Sequence, residues 1–275
     1  MLVEDVEIDA SIAARDIRRR LRFKRMPNLV QSQVRLLPES SEAGFLRPDT
    51  GSLIQPYLLP MAAALSLNAP SIDESFRSGS PPCILCLGVG GGALLTSLRS
   101  HFGFHVLGIE ADDAVLSVAT RHFGLAKDES LQLLTCDGIE LIAGYAQERP
   151  PSRLFHAIMV DLDGEDPMKG AIAPTAEFLH RSVLLGAKLA LHEHGILVIN
   201  VISSGEAFYK RMIKLFRKFF CELYQIQVGN GENRVLVAAV SPVGFVAEEL
   251  KQQGHLYEKL KELGCERFID AIEKV

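Results

Sequence analysis

The chain has 275 residues, 48% hydrophobic and 23% charged, enough to bury one sizeable α/β core with a small appendage but too few for a second full domain. Its net charge of -5 and pI near 5.9 exclude a globally basic nucleic-acid binder, so nucleic acid could enter only through a local patch and is not expected as a partner. No apolar stretch is long enough to span a bilayer, no charged-apolar-small signal opens the chain, and five cysteines lying mostly in apolar strands read as reduced thiols, so a cytoplasmic protein with no membrane partner is expected.

In chain order, an acidic lead-in (Glu4, Asp5, Glu7, Asp9) precedes a basic run of Arg15, Arg18, Arg19, Arg20, Arg22, Lys24 and Arg25. The run reads as a solvated strand edge balanced by the lead-in, with an RNA or acidic-partner site as the alternative. Residues 19–37 alternate apolar and polar around Met26-Pro27-Asn28, which predicts a β-hairpin. An apolar helix is expected over 52–67, interrupted early by Pro56 and Pro60, and residues 68–82 carry the Pro, Ser, Asp and Gly of a surface linker. The organisation read from this is 1–67 for lead, hairpin and helix, 68–82 for the linker, and 83–275 for the core with a helical tail.

The core opens on the apolar run Cys83 to Leu87, which turns through Gly88-Val89-Gly90-Gly91-Gly92 into a helix. Glycines there permit a tight turn, let backbone N–H groups approach a nucleotide-like ligand and allow the helix to pack close. Glu110 ends the next apolar run about 20 residues on, where a carboxylate accepts both ribose hydroxyls. A third strand, 131–136, carries Asp137 and Gly138 at its tip, placing an acid where it can accept from an adenine amino group. Asp112 and Asp113 read as caps of the helix over 115–122. The fourth strand, 157–160, is followed by Asp161, Asp163, Glu165 and Asp166, a carboxylate cluster at the edge where a substrate should enter. A helix over 176–191, a strand over 196–201 and a helix over 206–220 complete the alternation of a parallel sheet covered on both faces. Cys83 and Cys86, three apart in a strand, point to opposite faces and read as packing. His192 and His194 read as a surface turn, so no metal is expected.

Strands are expected over 221–228 and 234–240. Five residues between them are too few for a parallel crossover, so the pair must be an antiparallel hairpin. A nicotinamide-binding Rossmann domain would continue with parallel units. A seven-stranded Rossmann-like sheet with a reversed last strand is instead the pattern of S-adenosylmethionine-dependent methyltransferases.

The runs Leu85 to Gly92, Gly108-Ile109-Glu110-Ala111-Asp112, Val118 to Phe123 and Cys136-Asp137-Gly138, with the N-terminal hairpin, resemble the spermidine-synthase-like branch of class I methyltransferases. Val30-Gln31-Ser32, the stretch Ile158 to Asp163 followed by Asp166-Pro167, and the helical tail are similar within that branch to the methyltransferases of translation elongation factor 1-alpha. The resemblance implies S-adenosyl-L-methionine as cofactor, with S-adenosyl-L-homocysteine as product. It matches Gly88, Gly90 and Gly92 to the cofactor loop, Glu110 to the ribose carboxylate, Asp137 and Gly138 to the adenine contact, and Gln31 to a hairpin glutamine reaching the amino-acid end of the cofactor. It assigns Asp161 or Asp163 as the base and Asp166 to the substrate. The acceptor it implies is a protein amine, the amino terminus of elongation factor 1-alpha or else a lysine, and it implies a possible homodimer. Two other readings stand beside it: an aminopropyltransferase, and a catalytically silent cofactor-binding domain. Against the former, Gly91 occupies the position of the synthase aspartate that holds the aminopropyl amine, and Ile54-Gln55-Pro56-Tyr57 replaces the polyamine-binding set.

Overall fold

A computed structural model describes residues 1–8, 16–39, 45–147, 154–164, 171–203, 205–229, 233–243 and 254–275. The expected hairpin forms from β2 (Asp16–Arg22) and β3 (Ser32–Pro38), and the acidic lead-in extends it as β1 (Leu2–Ile8), with β4 (Leu46–Pro48) on the far side. The antiparallel register sets Glu4 opposite Arg20 and Asp5 opposite Arg19, so cross-strand charge pairing selects this alignment. Arg19 makes a two-pronged contact with Asp5 at 2.7 and 2.8 Å, and Arg22 reaches Glu4 at 2.7 Å. Arg19 also donates to the His122 carbonyl, and Leu21 and Val34 bury against Phe123, which fastens this small sheet onto the main domain.

The helix expected over 52–67 begins only at Leu58, as α1 (Leu58–Ala63), and tightens into a 3-10 turn, Ala64–Asn68. Pro60 sits in its first turn, where an N–H would have no intrahelical partner. The stretch expected to be a linker is instead structured: α2 (Ala69–Arg77) starts with Pro70 in its first turn and buries Ala69 and Ile72. Asn68 donates to the His156 carbonyl at 2.8 Å and anchors the junction.

The main sheet comprises β5 (Cys83–Leu87), β6 (His105–Glu110), β7 (Leu131–Thr135), β8 (Phe155–Val160), β9 (Ala171–Ala173), β10 (Leu191–Ser203), β11 (Glu222–Val228), β12 (Asn233–Ala239) and β13 (Glu273–Lys274). Its order is β13-β11-β12-β10-β8-β5-β6-β7, with β9 paired to β10. Strands β7 to β10 along this path are parallel, and β12 runs against both β10 and β11. The expected reversed strand is therefore present, joined by the expected hairpin, and the tail adds β13 along β11. Helices α3 (Ala93–Ser100) and α4 (Asp113–His122) cover one face with α1 and α2, while α5 (Gly138–Gly144), α6 (Arg181–Ala190) and α7 (Glu206–Phe216) cover the other. Along β5, Ile84 and Cys86 enter the first core and Cys83, Leu85 and Leu87 the second, so the two cysteines do point to opposite faces.

His192 and His194 fall within β10, beside an irregularity of register, rather than in a surface turn. His192 stacks on His156 at 5.3 Å, and among the described residues no group of three side chains is placed to hold a metal. No helix among the described residues is long and apolar enough to cross a membrane.

Candidate functional site

The sheet order reverses between β5 and β8, and the carboxyl ends of β5, β6, β7 and β8 converge on one cleft of about 630 Å³. At its floor the chain leaves β5 through Gly88, whose φ of 85° is open to glycine but strained for other residues. A Cβ at Gly88 would lie 2.2 Å from the Asp161 carbonyl oxygen, so the first and fourth strands approach this closely only because the side chain is absent. Gly92, with φ 80°, leads into α3. Gly91 donates its N–H to Ser32 Oγ at 2.8 Å, which seats the N-terminal sheet on the turn.

Glu110, at the end of β6, folds back over the turn. One carboxylate oxygen accepts from the Val89 N–H at 3.1 Å and the other from the Asp112 N–H at 3.2 Å. Asp137, at the end of β7, caps α5 through Oδ1, which accepts from the N–H groups of Ile139 and Glu140 at 2.7 and 3.2 Å. Gly138 follows it against Leu87, 3.2 Å from where its Cβ would stand. Asp112 caps α4 by accepting from Ala114, as expected, while Asp113 receives the Thr135 hydroxyl.

The tip of β8 is chemically different. Asp161 Oδ1 accepts from the Asn200 amide of β10 and Oδ2 from the Tyr57 hydroxyl, each at 2.8 Å. Burial raises the Asp161 pKa, with the Glu110 charge adding to it, while the two hydrogen bonds oppose the rise. Asp163 is pushed up to about 7, first by burial and then by the charge of Asp161, with Arg25 and Gln31 pulling down. Burial and the neighbouring carboxylates raise the Tyr57 pKa well above its ordinary value, so its hydroxyl stays protonated and donating. Gln31 lines the same cleft beside Asp163, and among the described residues its buried Nε2 makes no well-formed hydrogen bond.

Gln31, Gly88, Gly90, Glu110, Asp137, Gly138, Asp161 and Asp163 all line this one cleft. Gly92 lines a smaller cavity of about 40 Å³ behind the turn, and Asp166 lies outside the described residues. Tyr57 and Asn200 are functional candidates that sequence reasoning did not single out. Tyr57 precedes a helix start, a position with some signal; Asn200, 1% exposed in the apolar strand β10, stands out as a polar residue with no reason to be in a core.

The sheet order, the reversed β12 and the glycine turn opening on this cleft define the class I S-adenosylmethionine-dependent methyltransferase fold. Among solved structures, human Methyltransferase-like protein 13 in complex with SAH is similar with a TM-score of 0.65 and 25% identity, over 78% of this chain and 93% of that one. Spermidine synthase from Thermotoga maritima shares the fold at a TM-score of 0.51 and 15% identity, over 86% of this chain and 84% of that one. In sequence, the chain is 26% identical over 291 residues to the eEF1A lysine and N-terminal methyltransferase of Xenopus laevis, covering 96% of this chain. It spans 40% of the length of that relative. No protein-family model matches the sequence.

Proposed function

We propose that the chain is an S-adenosylmethionine-dependent protein N-methyltransferase whose acceptor is an amine of translation elongation factor 1-alpha, at its amino terminus or on a lysine. The observation that carries the reading is the convergence of a glycine turn, two strand-end acids engaged with backbone N–H groups and a desolvated carboxyl pair on one cleft. The names of the sequence relatives supply the acceptor.

The residues present fit the cofactor. Gly88 and Gly90 line the cleft without side chains, Glu110 retains lone pairs on both oxygens for vicinal hydroxyls, and Asp137 Oδ2 is left for an amino donor. The Gln31 amide nitrogen, a donor that already pulls on the Asp163 carboxyl, suits a carboxylate. Once bound, the cofactor supplies an electrophilic methyl group on a sulfonium. An acceptor amine is nucleophilic only after it loses its proton. Asp163, with its pKa raised to about 7, is matched to take that proton near neutrality. Asp161, fixed by Tyr57 and Asn200, orients the ammonium form and keeps the cationic acceptor at the cleft. An α-amine, with an ordinary pKa of about 7.7–8.0 against about 10.4 for lysine, needs less help from such a base.

The geometry weighs against aminopropyl transfer. A Cβ at Gly91 would fall 2.9 Å from the Phe123 ring and 3.0 Å from Ser32 Cβ, which leaves no room for a counter-charge to the aminopropyl amine. Radiolabelled methyl transfer to purified elongation factor 1-alpha, with mapping of the modified amine, tests the reading. Label on that protein is expected; binding of S-adenosylmethionine with no transfer to any protein would leave a silent cofactor-binding domain, and uptake of the decarboxylated cofactor with polyamine product would restore the synthase reading.

A further inference from the structure

Helix α7 presents two faces. Tyr209, Met212, Ile213 and Phe216 bury into the core, and the opposite side carries Lys210, Arg211 and Lys214, continued by Arg217 and Lys218 just past the helix end. All five cations are exposed, and among the described residues none has an ion-pair partner. The helix's acid, Glu206, is engaged by Arg234 at 2.9 Å. In a chain of net charge -5, a single-signed surface of this kind is a local field of opposite sign to the whole. Positions 210, 214 and 218 follow one another at one-turn spacing, so the stripe runs about 12 Å. Its neighbouring aromatics are half-buried, Phe208 beneath Arg211 and Phe219 beneath Arg181, and offer no apolar wedge for a bilayer.

We propose that this face of α7 docks the phosphate backbone of a nucleic acid. A polyanion with evenly repeated charge matches an evenly repeated cationic stripe, and about 12 Å spans three to four nucleotides at about 3.4 Å per residue of strand. The contact is sequence-independent, since exposed cations on a helix surface meet phosphates rather than base edges. It lies on the sheet face covered by α5 to α7 and does not depend on the methyltransferase reading.

The test is fluorescence anisotropy of the full chain with labelled 20-nucleotide single-stranded RNA and a 20-base-pair DNA duplex, at about 20 to 200 mM salt. Three to four phosphate contacts should give a log-log salt slope of about -2 to -3 on the single strand. The variant K210E/K214E/K218E should weaken binding at least tenfold at about 50 mM salt and bring the slope close to zero. A charge-matched reversal away from α7, at exposed cations with no ion-pair partner among the described residues, R121E/K127E/K261E, should keep the slope. Calorimetry with S-adenosylmethionine reports on folding and should be alike in all three proteins. Tighter binding to RNA or to DNA tells which nucleic acid is preferred. Absence of salt-dependent binding, equal loss in both triple variants, or tighter binding to polyglutamate or to vesicles containing phosphatidylserine would overturn the proposal.

Discussion

The acids at the tips of β6 and β7 and those at the tip of β8 line the same cleft, yet they are held in opposite ways. Glu110 and Asp137 lean on backbone N–H groups that stabilise their charge, whereas Asp161 and Asp163 are crowded together and desolvated, and their pKa values are raised. Carboxylates whose charge is satisfied are suited to gripping neutral hydroxyl and amino groups. Carboxylates whose charge is penalised are suited to moving protons.

The largest effect should come at β8. Asp163→Asn should lower transfer by roughly 10²–10⁴ while cofactor affinity stays within a few-fold, measured by single-turnover labelling and calorimetry. In the wild type the rate should climb as pH rises through about 7, because only the ionised Asp163 can accept a proton. Unaltered transfer in the variant would reduce the β8 acids to the same gripping role as the other pair.

Next in size are Glu110 and Asp137, the acids proposed to grip the cofactor. Loss of a hydrogen bond to a charged group is worth about 1.5–3 kcal/mol, so Glu110→Ala should weaken S-adenosylmethionine roughly ten- to a hundredfold. Asp137→Ala should do likewise, although it also removes the cap of α5. Asp137→Ser separates the two roles, since a hydroxyl can still cap; cofactor binding should remain weak while thermal stability recovers. A smaller effect is expected of Tyr57→Phe, which takes one donor from Asp161 in a desolvated place. The Asp161 pKa should rise further, and the rate-pH profile should move to higher pH with a loss of about tenfold or less at neutrality.

The smallest effect is on stability. The folded-state pKa of Asp163 lies above its unfolded value, so the native state binds the extra proton between about pH 4 and 7, and stability falls as pH rises across that window. Asp163→Asn should therefore unfold at a higher temperature than wild type at pH 8 and at about the same temperature at pH 4. An equal difference at both pH values would mean that the substitution acts through packing rather than charge.

What could be read in advance was local in sequence. The glycine turn, Glu110 and Asp137 sit at strand ends, where one apolar run and one break define both fold and position. Tyr57 and Asn200 reach Asp161 from 104 and 39 residues away, and no periodicity carries such a pairing. Helix α2 was hidden by its turn-like composition, although Ala69, Ile72 and Phe76 lie at helical spacing and meet the core. The strand β1 had a signal in its acids, which complement the basic run charge for charge. That run, conspicuous in the sequence, has Arg18, Arg19 and Arg22 engaged by nearby acids, while the cations on α7 are interleaved with apolar residues and come together only when the helix is wound.

Ser32 Oγ receives the Gly91 N–H, and Gln31 beside it lines the cleft. The cleft proposed to hold the cofactor is thus completed by two segments that are far apart along the chain. A fragment beginning at Cys83 would retain the Rossmann-like sheet but lose one wall of its own cleft. Conversely, an occupied cleft would act as a clasp, and proteolytic nicking between β4 and α1 should slow when the cofactor is present.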